Sequence, residues 1–171
     1  MSKNLIFIVF ILLLVGCVSK QEVALVDAYE KNINYHRYLL KTEKAQLYDD
    51  NSTKILLTAT YLNAEIDQQN HTADEIFIIS VQSDNSFFNL KGKEYSLSLN
   101  GKQPKNIKIL NRKNKLLHDI SFITEWSKNY LVTFNHVKSK QLFLTIESKK
   151  YGKSHLYFTK IAKYLFSKTK F

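Results

Sequence analysis

Histidine is a common residue for proton transfer and metal binding near neutral pH, and this chain contains five. They are dispersed, and no pair has the H-E-x-x-H spacing that places two imidazoles on one helix face for zinc. His118 and Asp119 are the only adjacent histidine and carboxylate. Because neighbouring strand residues point to opposite faces, this pair would form a catalytic dyad only in a turn. We expect His136, at strand spacing from Phe134, to be a partly buried structural histidine.

The sequence contains no pattern for nucleophilic catalysis or phosphate binding. Neither the G-x-S-x-G nucleophile elbow nor a P-loop occurs, and the chain has only four glycines. Asp67, Asp74 and Glu75 lack the alternation and the glycine of a calcium loop, so we interpret them as solvated loop acids. We therefore expect binding rather than catalysis, with no metal and no separate cofactor.

The single cysteine, Cys17, follows the most apolar stretch of the chain. Lys3 precedes an uninterrupted apolar run from Leu5 to Val15. As a helix this run would extend only about 16 Å at about 1.5 Å per residue, against about 30 Å for a bilayer core. The pattern therefore indicates a cleaved secretory signal rather than a permanent span.

Leu14-Val15-Gly16-Cys17 resembles the lipobox of bacterial lipoproteins. The resemblance covers the first 17 residues and implies cleavage between Gly16 and Cys17, with acyl chains on Cys17. Two or more chains hold a protein stably on a membrane. The alternative is an ordinary anchor with an unmodified cysteine.

The same resemblance implies a location in the cell envelope. Val18, rather than Asp, follows the cysteine, which implies the outer membrane as a commoner destination than the inner membrane. On this interpretation residues 1–16 are the signal peptide, residues 17–19 the lipidated cysteine and a short tether, and residues 20–171 one globular domain.

An amphipathic helix is predicted over about 20–48. Ser19 and Glu22 have capping-box spacing. One apolar stripe follows at seven-residue intervals, made of Val26, Ile33, Leu40 and Leu47. A coiled coil needs a second apolar row beside this stripe, but the residues there, Glu22, Tyr29, His36 and Glu43, are too polar. The pattern therefore favours a helix packed on a sheet.

From about residue 54 to 171 the pattern is that of β-strands. Apolar and β-branched residues predict strands over 54–63, 75–82, 95–100, around 107–109, 129–137, 141–148 and 155–161. Asn100-Gly101 is a turn signal that would pair the third and fourth strands, and the turn at 138–140 would make a hairpin of the fifth and sixth.

About seven strands with short connections favour an antiparallel β-sandwich, so the expected fold is mainly β with one preceding helix. An immunoglobulin-like form is one such sandwich, although the chain lacks its cysteine pair. Trp126 fits a core or a turn equally well.

Charge is distributed unevenly along the chain, whose net charge is +10. Residues 18–90 hold 6 basic and 11 acidic residues, whereas residues 91–171 hold 18 basic and 4 acidic ones. A candidate anion-facing surface lies from residue 149 onward, at Lys149, Lys150, Lys153, Lys160 and Lys163. The plainer interpretation is that these lysines are solvated strand faces and edges.

These features predict a lipid-anchored envelope protein that acts as an accessory or adaptor subunit with a protein partner. The first alternative is direct binding of an anionic envelope glycan, polymer or lipid through the basic C-terminal region. The second is an enzyme whose active site is assembled from residues that no motif reveals. Nucleic acid is not expected as a partner, because no nucleic-acid-binding motif occurs.

Overall fold

The computed structural model describes residues 33–62, 73–85 and 88–160. Within these residues, one helix, α1 (Ile33–Leu39), precedes eight strands. They are β1 (Thr42–Asp49), β2 (Ser52–Tyr61), β3 (Glu75–Ser83), β4 (Tyr95–Leu99), β5 (Asn106–Leu110), β6 (Lys128–Phe134), β7 (Gln141–Ser148) and β8 (Gly152–Thr159). A short 3₁₀ helix, Lys115–Leu117, lies between β5 and β6. Apart from the first two residues of α1, these elements belong to the compact unit Tyr35–Phe171.

The strands form two antiparallel sheets, in the orders β1-β2-β3-β6-β5 and β4-β7-β8. This confirms the predicted mainly β fold and the antiparallel sandwich. Without β1, the strand order is that of the A-B-E-D and C-F-G sheets of a constant-type immunoglobulin domain. The additional strand β1 forms a hairpin with β2 at the edge of the larger sheet.

The core lies between the two sheets because the strands alternate in burial. In β7, for example, Leu142, Leu144 and Ile146 are fully buried while the residues between them face outward. A second, smaller cluster lies where the β5–β6 connection covers the larger sheet, and its buried members are Ile78, Leu110, Leu117 and Ile120.

The predicted helix over 20–48 is wrong beyond residue 39. Its first part, up to residue 32, lies outside the described residues. After α1 the chain forms β1, in which Ala45 and Leu47 are buried and Gln46 between them is exposed. Two-residue alternation therefore replaces the seven-residue stripe, because pairing with β2 satisfies the backbone of this segment.

The seven predicted strands are present within three residues of their predicted bounds, but two predicted pairings are wrong. β4 and β5 lie in different sheets, as do β6 and β7. After the Asn100-Gly101 turn only Leu99 and Lys102 form a bridge, and Pro104, which has no N–H, follows. After β6, the Val137 N–H donates to the Glu75 carboxylate at 3.0 Å, and the chain continues into the other sheet.

Candidate functional site

The two sides of the sandwich differ. On one side β1 contacts β8, so the edges of the two sheets meet. On the other side β4 and β5 are edge strands of different sheets, each paired on one side only. An open groove of about 700 Å³ lies there, lined by residues of β4, of β5 and of the segments around them.

Four lysines line this groove: Lys91, Lys93, Lys105 and Lys149. Apolar side chains lie between them and include the buried Leu90, Tyr95 and Leu97 and the partly buried Ile107. Burial raises the pKa of the Tyr95 phenol above its ordinary value of 10.0. The groove thus combines an apolar floor with basic side chains.

A tight turn before β4 positions two of the lysines. The Asn89 side-chain oxygen accepts a hydrogen bond from the Lys91 N–H at 2.9 Å, and the Asn89 carbonyl accepts one from the Gly92 N–H at 2.9 Å. A Cβ on Gly92 would lie only 3.1 Å from that carbonyl oxygen, so the turn favours glycine here. Lys91 and Lys93 flank Gly92 in the sequence, and both line the groove.

A third lysine of the groove, Lys149, directly follows β7. The Lys149 N–H donates to the Glu94 carbonyl at 3.3 Å, which extends the pairing of β4 and β7 by one step. Lys105 Nζ lies 2.7 Å from Asp74 Oδ2 and forms an ion pair. Among the described residues, Lys91, Lys93 and Lys149 form no ion pair, so their charges are available to a ligand.

The lysines predicted as one anion-facing surface are separated by the fold. Lys149 lines the groove, but Lys150 Nζ lies 3.7 Å from Asp49 Oδ2, and Tyr151 and Asp49 raise its pKa. Lys153 lies on β8, away from the groove lining. Lys163 lies outside the described residues.

Lys160 corrects the prediction of a continuous basic surface. Its side chain is 9% exposed, and its ammonium lies 2.5 Å from Glu75 Oε1 and donates to the Val137 carbonyl at 2.5 Å. The Tyr61 hydroxyl donates to Glu75 Oε2 at 2.6 Å, and His136 Nδ1 lies 3.4 Å from Oε1. Lys160 is buried as the counter-charge of Glu75, since a carboxylate buried without a cation is costly.

The other predicted residues with reactive side chains are accounted for as follows. Glu75 is not a solvated loop acid, since it is 1% exposed. His118 and Asp119 do form a pair at 2.7 Å because they lie in a turn, but the imidazole is 86% exposed. His136 is half-buried, as predicted. No group of three or more potential metal ligands occurs within 33–62, 73–85 and 88–160.

Sequence reasoning missed Lys91, Lys93 and Lys105 as members of a site. Their only local signal is the Lys91-Gly92-Lys93 triplet before β4. The predicted lipidation site, Cys17, lies outside the described residues. In the part of the chain that the structure describes, no helix is long and apolar enough to cross a membrane.

Comparison of the chain with known protein families, curated proteins and solved structures gave no match.

Proposed function

We propose that this chain is a lipid-anchored cell-envelope protein that binds an anionic envelope polymer in the groove between β4 and β5. The observation that carries the proposal is the set of three ammonium groups, on Lys91, Lys93 and Lys149, that line the groove without an ion pair among the described residues. Lysine is a mobile point charge that suits phosphate or carboxylate groups along a flexible chain.

The shape of the groove supports a polymer rather than a small enclosed ligand. It is open to solvent along the side of the sandwich, whereas pockets for small molecules bury most of the ligand surface. The lysines of the groove lining attract anions over a distance set by salt screening. The apolar floor allows contact with the less polar faces of the repeating units.

Binding of phosphorylated dextran to the full-length protein tests this function, with neutral dextran as the control polymer. We expect binding of the phosphorylated polymer only, with affinity falling steeply as salt rises from about 0.05 to about 0.5 M. Vesicles with an anionic headgroup form a second arm, in which displacement of bound phosphorylated dextran by the vesicles would indicate a lipid ligand in the groove. Equal binding of both dextrans would contradict the proposal.

A second function, that of an adaptor subunit with a protein partner, is favoured by the outer face of the β4-β7-β8 sheet. Phe143 and Tyr157 face each other across β7 and β8 with ring centroids 5.4 Å apart, and Tyr157 is 62% exposed. Exposed aromatic pairs of this kind anchor protein interfaces. Cross-linking in intact cells should then recover one protein in near-equal amount, and Tyr157→Ser should abolish its recovery.

A further inference from the structure

The connection between β5 and β6 crosses the outer face of the larger sheet. We call residues 111–127 the covering loop. Leu117 and Ile120 of this loop pack against Ile78 and Leu110 of the sheet. Its other contacts reach further: Gln82 on β3 donates to the Thr124 hydroxyl at 3.2 Å. Lys44 on the far edge strand β1 lies 3.3 Å from the centroid of the Phe122 ring.

Three of the exposed side chains of the covering loop are large and apolar. Leu116 is 49% exposed, Phe122 is 45% exposed and Trp126 is 82% exposed. Phe122 has a φ of 65°, a left-handed conformation that a bulky side chain adopts only when the surrounding structure imposes it. Tryptophan side chains are highly buried on average, so the 82% exposure of Trp126 is the most unusual of the three.

Basic side chains accompany these apolar ones. Both acids of the loop are paired within it, Asp119 with His118 at 2.7 Å and Glu125 with Arg112 at 3.7 Å. Lys113 and Lys115 form no ion pair among the residues that the structure describes. The loop therefore presents positive charge on both exposed lysines that precede Leu116 in the sequence.

We infer that the covering loop seats the domain on an anionic lipid bilayer, with Trp126 at the level of the headgroups. Tryptophan favours the interface between water and hydrocarbon, and unpaired lysines are attracted to anionic headgroups. The lipid anchor proposed at Cys17 would hold the domain within reach of such a surface. The inference goes beyond the groove, since none of the loop residues lines it.

Trp126 is the only tryptophan in the chain, so intrinsic tryptophan fluorescence reports this loop alone. The test uses the full-length acylated protein in vesicles of phosphatidylcholine, with and without phosphatidylglycerol, and with brominated acyl chains as quenchers. We expect a blue shift and strong quenching of Trp126 in the anionic vesicles and much weaker changes in the neutral ones.

Three variants sharpen the test. Lys113→Glu combined with Lys115→Glu should remove most of the quenching, and Leu116→Ser should reduce it, because both change exposed groups of the loop. Phe143→Ser changes an exposed aromatic residue on the other sheet and should leave the quenching unchanged.

A Trp126 emission spectrum typical of water and unquenched in both vesicles would overturn the inference, and so would equal quenching in both. Protection of Trp126 in intact cells but not in vesicles would also overturn it and point to a protein partner. Absence of acyl mass on Cys17 in the membrane-extracted protein would contradict the anchor, and quenching of Trp126 in such protein would still support the contact of the covering loop with lipid. Binding of phosphorylated dextran tests the groove separately, so failure of one proposal can be told from failure of the other.

Discussion

The ammonium of Lys160 lies 2.5 Å from the carboxylate of Glu75, and the two side chains are only 9% and 1% exposed. Glu75 begins β3, whereas Lys160 directly follows β8, so the pair links the two sheets. Both groups also bind Val137, which lies where the chain crosses from β6 to β7. This buried ion pair therefore holds the crossover that sets the immunoglobulin-like strand order.

Removal of one partner of this pair should destabilise the fold strongly. Lys160→Met leaves the Glu75 carboxylate buried without its cation, and loss of one partner of a buried pair costs about 3–5 kcal/mol. Urea denaturation gives the free energy of unfolding, with Lys138→Met, an exposed lysine, as the matched control. A Lys160→Met loss no larger than that of the control would refute the role of the pair.

The double variant Glu75→Leu with Lys160→Met should lose less free energy of unfolding than the sum of the two single variants. The reason is that it leaves neither charge buried alone. Strict additivity of the two losses would show that the two groups act independently.

Alkaline pH should weaken the fold through Tyr130. Burial raises the pKa of this phenol above its usual value of 10.0, and the side chain is 2% exposed. Between about pH 10 and the higher folded-state pKa, the unfolded chain loses a proton that the folded chain keeps. The free energy of unfolding therefore falls as pH rises through this window.

The comparison of wild type with Tyr130→Phe isolates this contribution. We expect the variant to lose less free energy of unfolding than wild type between about pH 9.5 and about pH 11, since phenylalanine does not titrate. Identical pH profiles for the two proteins would show that ionisation of Tyr130 does not weaken the fold.

Asn100 should contribute more to the stability of the fold than a typical residue of an exposed turn. It has a φ of 48°, its side-chain oxygen accepts from the Phe143 N–H at 2.7 Å, and its amide donates to the Gln141 carbonyl at 3.2 Å. Asn100→Ala loses both bonds and leaves alanine in a left-handed conformation, at a cost of about 1–3 kcal/mol. Asn100→Asp keeps the acceptor, so thermal denaturation should rank it between wild type and alanine; the reverse order would contradict this account.

The lipid anchor is a prediction about mass. The mature protein should begin at Cys17 and carry acyl chains, while Cys17→Ala should remain uncleaved and unacylated. Intact-mass spectrometry of membrane-extracted protein measures both. An unmodified Cys17 thiol in the mature protein would disprove the anchor.

Alternation predicts the half-exposed strand over 95–100 because a sheet with one buried face requires a two-residue period. The strands over 54–63 and 75–82 are instead predicted by their density of apolar and β-branched residues. Alternation failed at residues 40–48. Leu40 and Leu47 fit a seven-residue helical stripe, while Ala45 and Leu47 fit a two-residue strand, and two or three apolar residues cannot distinguish the periods. Pairing with β2, a contact with later residues, decides between them.

The groove and the buried pair could not be predicted for a related reason. The charge of the C-terminal half predicts Lys149, but Lys91 and Lys93 join it through the pairing of β4 with β7. Lys105 joins them because β4 and β5 lie at adjacent edges of different sheets. Glu75 likewise carries no local signal that distinguishes a buried acid from a solvated one. Such sites depend on residues that are distant in sequence.

The central claim is that the groove binds an anionic polymer, and one affinity comparison tests it most directly. Lys91→Glu, Lys93→Glu and Lys149→Glu are combined in one variant, and Lys138→Glu, Lys140→Glu and Lys153→Glu, which change exposed lysines outside the groove, form the matched control. Titration of each with phosphorylated dextran gives the Kd. We expect the groove variant to bind at least about tenfold more weakly than wild type and the control to bind almost as tightly as wild type. An equal loss of affinity in the two variants, or no loss in either, would contradict the proposed function.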